Sequence, residues 1–210
     1  MERSGWVLVD ASPLLQVPEA CARRAEQDGY LLWRRLLPPG DVLAARAEVL
    51  AACRSAGWCD ASGTPLAEPE EASTETLVTR LRRLPRWRRL TEHPALQQAM
   101  TTALGGRARP AGVAVDVRWP GEPEGSPDAP RDGGWSAWIP LGDCAAVQAG
   151  LGVMPGSHRD GVATIVTAWA DLGAGDALAL DGRTVRQPLA HTGDRLRLAV
   201  HCRYRPDVQG

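Results

Sequence analysis

Phenylalanine and lysine are missing from this 210-residue chain and tyrosine occurs only twice, so eight tryptophans carry most of its aromatic surface. With 22 Gly and 17 Pro, this is a compositional bias from which no function is read. Long apolar runs are missing too. None approaches the roughly 18 residues that a membrane span needs, and the N-terminal stretch MERSGWVLVD has no basic region followed by an apolar one. Neither a membrane span nor a secretory leader is expected, and the chain reads as cytoplasmic. Its five cysteines, Cys21, Cys53, Cys59, Cys144 and Cys202, are odd in number and include no Cys-x-x-Cys pair. That excludes a disulfide framework or a zinc clip and leaves buried thiols.

A net charge of -1 gives no global attraction to nucleic acid. The one basic stripe, Arg80, Arg82, Arg83, Arg86, Arg88 and Arg89 around Trp87, is read as a solvated helical face. Glu68, Glu70, Glu71 and Glu75 just upstream offset its charge. What is present, 44% hydrophobic and 23% charged residues, suits one domain with a sizeable core.

Helical signals fill the first half. Pro18 to Gln27 reads as a helix with Pro in its first turn and Gly29 as its stop, and Tyr30 to Trp33 as a short strand. Asp41 is the expected N-cap of a helix that buries Val42, Ala45, Val49, Ala52 and Cys53 and stops at Gly57. Ala61 to Thr74 has the composition of a surface loop. Leu77, Leu81 and Leu84 recur at helical spacing, Pro85 interrupts, and Pro94 to Leu104 is the next helix, closed by Gly105.

The period then changes to two. Val113, Val115, Val117 and Trp119 alternate with Ala114, Asp116 and Arg118. Pro120 to Gly134 is a loop by composition. Strands are expected over 135–141, 150–154, 162–167, 177–180, 184–189 and 195–204, with a Pro155-Gly156-Ser157-His158 turn between the second and third. Helices first and short strands afterwards make an α+β chain whose second half closes into a β-sandwich or barrel. One domain covers 1–210, helical over about 1–106, with a β core over about 107–210.

The stretch WSAWIPLGDCAAVQAGLGVMPGSH, the closing GDRLRLAVHCRY and the N-terminal DGYLLWRRLLPPGDVLAARAEVL together resemble the phytanoyl-CoA dioxygenase family. That resemblance implies a double-stranded β-helix, the cupin-like jelly roll, and an activity that hydroxylates small molecules with Fe(II) and 2-oxoglutarate. It places Arg197 at the arginine that binds the co-substrate carboxylate, and Trp138 at the aromatic beside it. Asp116 and Arg118 are either a cross-strand ion pair or pocket lining.

The resemblance also implies a metal site of His-x-Asp upstream of Trp135 and a second His eleven residues before Arg197. Two imidazoles and a carboxylate would hold Fe(II) and leave positions open. Here Arg186 occupies the distal His position, and Glu122-Pro123-Glu124 or Ser126-Pro127-Asp128 falls where His-x-Asp is expected. A guanidinium about 4 Å from a dication costs several kcal/mol even at an effective dielectric near 20, so Arg186 argues against a metal.

The expected function is a metal-independent, repurposed member without a cofactor. It would perform a cyclisation, isomerisation or elimination on a small polar or anionic metabolite, in a specialised-metabolite pathway. Glu122, Glu124 and His201 are its acid-base candidates, and Arg186 and Arg197 its charge stabilisers. The alternatives are an Fe(II)/2-oxoglutarate hydroxylase with ligands from Glu122, Glu124 or Asp128, and a non-catalytic small-molecule-binding or partner protein.

Overall fold

A computed structural model describes residues 6–66, 79–81, 83–129, 134–146, 148, 150–160 and 167–207. Residues 162–166 of the strand expected at 162–167, the loop beyond residue 66, Leu77, Arg82 and the four glutamates upstream of the arginine stripe lie outside the described residues.

The elements are β1 (Trp6–Val7), a 3-10 turn (Ser12–Gln16), α1 (Pro18–Asp28), β2 (Tyr30–Trp33), α2 (Pro39–Ser55), α3 (Pro85–Thr91) and α4 (Pro94–Leu104). Then follow β3 (Ala108–Arg118), β4 (Trp135–Pro140), β5 (Leu151–Val153), α5 (Ser157–Asp160), β6 (Ala168–Trp169), β7 (Ala177–Asp181), β8 (Arg186–Pro188) and β9 (Arg197–Pro206). Pro18 and Pro94 open α1 and α4, where a missing N–H costs nothing, and Gly29 and Gly105 close them in the left-handed conformation.

Two expectations are corrected. α2 starts at Pro39, with Pro38 rather than Asp41 at the N-cap, and Asp41 lies in its first turn. Pro85 does not merely interrupt; it is the first residue of α3, which buries Trp87 and Leu90.

The strands form two sheets, β2-β7-β4-β9-β3 and β1-β6-β5-β8. Period-two alternation sends the buried side chains of the larger sheet to one of two cores. Leu31, Trp33, Ala137, Ile139, Leu198, Val200, Cys202 and Tyr204 pack with Val42, Ala45, Val49, Leu96 and Met100 of the helices. Tyr30, Leu32, Trp138, Leu178, Leu180 and Ala199 face inward with Val153 and Ala168 of the smaller sheet and with Leu8 just after β1. Complete burial of residues such as Trp33 contributes on the order of 2–3 kcal/mol each. The result is a jelly roll with helices on its larger sheet.

β3 is an edge strand, which is why it tolerates Pro110 and an irregularity between Pro110 and Gly112. The segment after it is more ordered than its composition suggests. Gly121 N donates to His191 O and His191 N to Glu122 O, both at 2.9 Å, Gly125 N reaches Pro188 O at 2.9 Å, and Asp128 and Arg186 exchange two backbone bonds at 2.9 Å. This segment therefore runs alongside β8. Its prolines lack the N–H that a continuous ladder requires, so it pairs at separate points.

Candidate functional site

β9 alternates as its sequence indicates. Leu198, Val200, Cys202 and Tyr204 join the helix-side core, while Arg197 and His201 lie on the opposite face with Ala199, which belongs to the inner core. β3 and β4 flank β9, with Asp116 opposite Ala199, Arg118 opposite Arg197, and Trp138 opposite His201. The inner face thus carries two polar groupings. Arg197 and His201, four residues apart, stand about 13 Å from each other along the strand.

The first grouping is centred on Arg197, only 7% exposed. Its Nη1 donates to Asp116 Oδ2 at 2.7 Å, and Trp138 Nε1 donates to the same oxygen at 3.0 Å. The guanidinium carbon lies 5.3 Å from the Trp138 ring centroid, a cation-π contact. Burial pushes the Asp116 carboxyl up. The Arg197 charge and the hydrogen bonds from Arg197 and Trp138 outweigh it and hold the carboxyl below the usual range. A cavity of about 280 Å³ opens beside Arg197, among Arg46, Cys144, Gln148, His191 and Arg195. Burial lifts the Cys144 thiol to about 11, so it is no nucleophile at neutral pH.

The second grouping joins β8 to β9: Arg186 Nη1 lies 3.0 Å from His201 Nε2. A guanidinium has no acceptor atom. The imidazole must therefore accept this hydrogen bond at Nε2, which makes His201 neutral with its proton on Nδ1.

Glu122 is committed to local structure. Its Oε1 accepts from Trp119 N at 2.7 Å, and its Oε2 pairs with Arg118 Nη1 at 2.8 Å. Arg118 Nη2 also donates to Pro123 O at 2.8 Å. Glu124 and Asp128 are exposed on the segment beside β8. The geometry thus brings Asp116, Trp138 and Arg197 together and, next to them on the same face, Arg186 with His201; Glu122 joins Arg118 at the end of β3.

Two other histidines are held structurally. His191 Nδ1 accepts from Gly193 N at 3.1 Å, so Nε2 carries the proton and donates to Arg195 O at 2.8 Å. Burial lowers its pKa, only partly opposed by that bond. One His-x-Asp triplet does occur in the chain, at His158-Arg159-Asp160, downstream of the place where the resemblance requires it. His158 is 7% exposed and its Nε2 donates to Glu26 O at 2.8 Å, which fixes it beside the end of α1. Among the described residues no group of three or more His, Cys, Asp and Glu side chains is arranged to hold a metal.

The Asp116–Arg197 pair was not legible beforehand. Alternation placed both residues on polar faces, but the register joining strands 81 residues apart follows from the folded sheet alone. The arginine at 186 and the histidine at 201 were each visible, and their contact was not.

The chain matches no protein-family model and no curated protein. Among solved structures it is similar to the non-heme alpha ketoglutarate dependent epimerase SnoN from nogalamycin biosynthesis. For that enzyme in complex with Fe3+ and alpha ketoglutarate, the TM-score is 0.70 at 20% identity over 91% of this chain and 84% of SnoN. The carbocyclase SnoK of the same pathway gives 0.68 at 20% identity, covering 91% and 87%. AviO1 from Streptomyces viridochromogenes gives 0.68 at 18% identity, covering 92% and 96%. At these identities the likeness establishes the fold alone: the chain is a double-stranded β-helix.

Proposed function

We propose that this protein is a metal-independent enzyme on an oxygenase scaffold, carrying out a cyclisation, isomerisation or elimination on a small polar or anionic metabolite in specialised-metabolite biosynthesis. The observation that carries this reading is the 3.0 Å contact between Arg186 and His201. Where the resemblance calls for a metal-binding imidazole stands a guanidinium, and it engages the Nε2 lone pair of the histidine beside it. A dication there would meet a fixed positive charge at short range. The residues present do not fit the metal.

They do fit proton transfer. A neutral His201 takes a proton at Nε2 from a C–H or O–H of the substrate once the substrate displaces Arg186 from that nitrogen. Arg186, still adjacent, stabilises the negative charge left on the substrate oxygen. Glu124, exposed on the segment beside β8, is the second acid-base candidate. Glu122 orients Arg118, and Arg197 supplies the fixed positive end of the inner face. An epimerase and a carbocyclase among the similar structures support rearrangement and ring closure as reactions this scaffold accommodates. Those two are alpha ketoglutarate dependent, so the independence proposed here rests on Arg186.

The test is turnover of a panel of polar metabolites by chelator-treated protein without added iron, 2-oxoglutarate or oxygen, read by mass. The expected product is isomeric with its substrate or lighter by an eliminated fragment, and His201→Ala lowers the rate by about 100-fold or more. A product heavier by one oxygen, formed only with iron and with succinate released, would overturn the reading in favour of a hydroxylase. Binding without turnover would favour a non-catalytic role.

A further inference from the structure

Arg118 and Arg197 face each other directly across β3 and β9. Like charges in that position repel, and a buried guanidinium without a counter-ion is costly. Each has its own carboxylate instead: Glu122 at 2.8 Å from Arg118, and Asp116 at 2.7 Å from Arg197. Asp116 sits one diagonal step from Arg197 on the same face. Its carboxylate is held at one oxygen by two donors, Arg197 Nη1 and Trp138 Nε1. Its side chain keeps 35% of its surface open while that of Arg197 keeps 7%.

We infer that Asp116 is a resident substitute for a ligand carboxylate: it occupies the anion position formed by Arg197 Nη1 and Trp138 Nε1, so the protein takes no 2-oxo acid there. Removing it opens a latent carboxylate site formed by Arg197 Nη1 and Trp138 Nε1. The inference stands apart from the reading of Arg186, because it concerns the anion partner of Arg197 and not the metal position. A protein that retained iron but bound no 2-oxoglutarate would break the metal-free reading and leave this one intact.

The experiment uses the full chain as wild type, Asp116→Ala and Asp116→Asn. Thermal unfolding is recorded with acetate or with chloride at equal ionic strength, and 2-oxoglutarate binding is followed by calorimetry. Wild type is expected to bind no 2-oxoglutarate and to show no shift specific to acetate. Asp116→Ala is expected to melt about 5 °C or more lower, to recover at least half of that loss in acetate but not in chloride, and to bind 2-oxoglutarate. Asp116→Asn fills the same space without charge, so it is expected to lose stability with less rescue. Should Asp116→Ala fail to fold, the wild-type titration and Asp116→Asn decide. Stoichiometric 2-oxoglutarate binding by wild type that Arg197→Gln abolishes would overturn the proposal, as would full stability of Asp116→Asn. Equal rescue of Asp116→Ala by acetate and chloride would overturn it as well.

Discussion

Asp116 draws its acidity from contacts that exist only in the folded chain, and this makes its contribution to stability dependent on pH. Its folded pKa lies below the ordinary value, because the Arg197 charge and two hydrogen bonds overcome the burial that would raise it. A depressed carboxylate pKa stabilises the fold fully above the unfolded value of about 3.9 and loses that stabilisation as pH falls through the folded value. The melting-temperature gap between wild type and Asp116→Asn is therefore expected to be largest near neutrality and to shrink below about pH 4. A gap that stayed constant down to about pH 2 would show that Asp116 acts through shape rather than charge. His201 differs in kind, since its neutrality follows from the direction of the hydrogen bond with Arg186.

At the scale of elements, the corner after α1 ties the two halves of the chain together. Gly29 has φ 72°, and its carbonyl accepts from Thr184 Oγ1 at 2.8 Å and from Asp181 N at 2.9 Å, while Asp28 O accepts from Gly156 N at 2.8 Å. A Cβ on Gly29 would collide with His158 Nδ1 and Thr184 Oγ1. Gly29→Ala thus combines a left-handed backbone with a packing clash. It is expected to cost about 3 kcal/mol or more and to lower the melting temperature by roughly 6–12 °C. A loss under about 1 kcal/mol in denaturant titration would mean that the corner relaxes.

This corner also marks what was legible in the sequence. α1, β2 and α4 were visible because each is bounded by Pro or Gly and carries a clear period. The faces of β9 were visible because alternation in RLRLAVHCRY admits one reading. The pairing of residues 121–128 with 186–191 was hidden, since its prolines and glycines have the composition of a loop and its bonds are non-local. α3 was hidden by Pro85, which terminates a helix or starts one depending on the residues that follow.

At the scale of the whole molecule, the helices cover one face of the larger sheet with apolar side chains, and on the inner side Arg118 and Arg197 are each paired with a carboxylate. Three guanidiniums on or beside that inner face, Arg118, Arg197 and Arg186, are accompanied by Glu122, Asp116 and His201. The proposed proton-transfer chemistry rests on this arrangement of the inner face of a double-stranded β-helix. The most direct measurement is the iron content of the purified chain after anaerobic loading with Fe(II) and desalting. The account predicts iron far below one atom per chain, and no gain when 2-oxoglutarate is added. One tightly held iron per chain, with Arg186 unchanged, would contradict it.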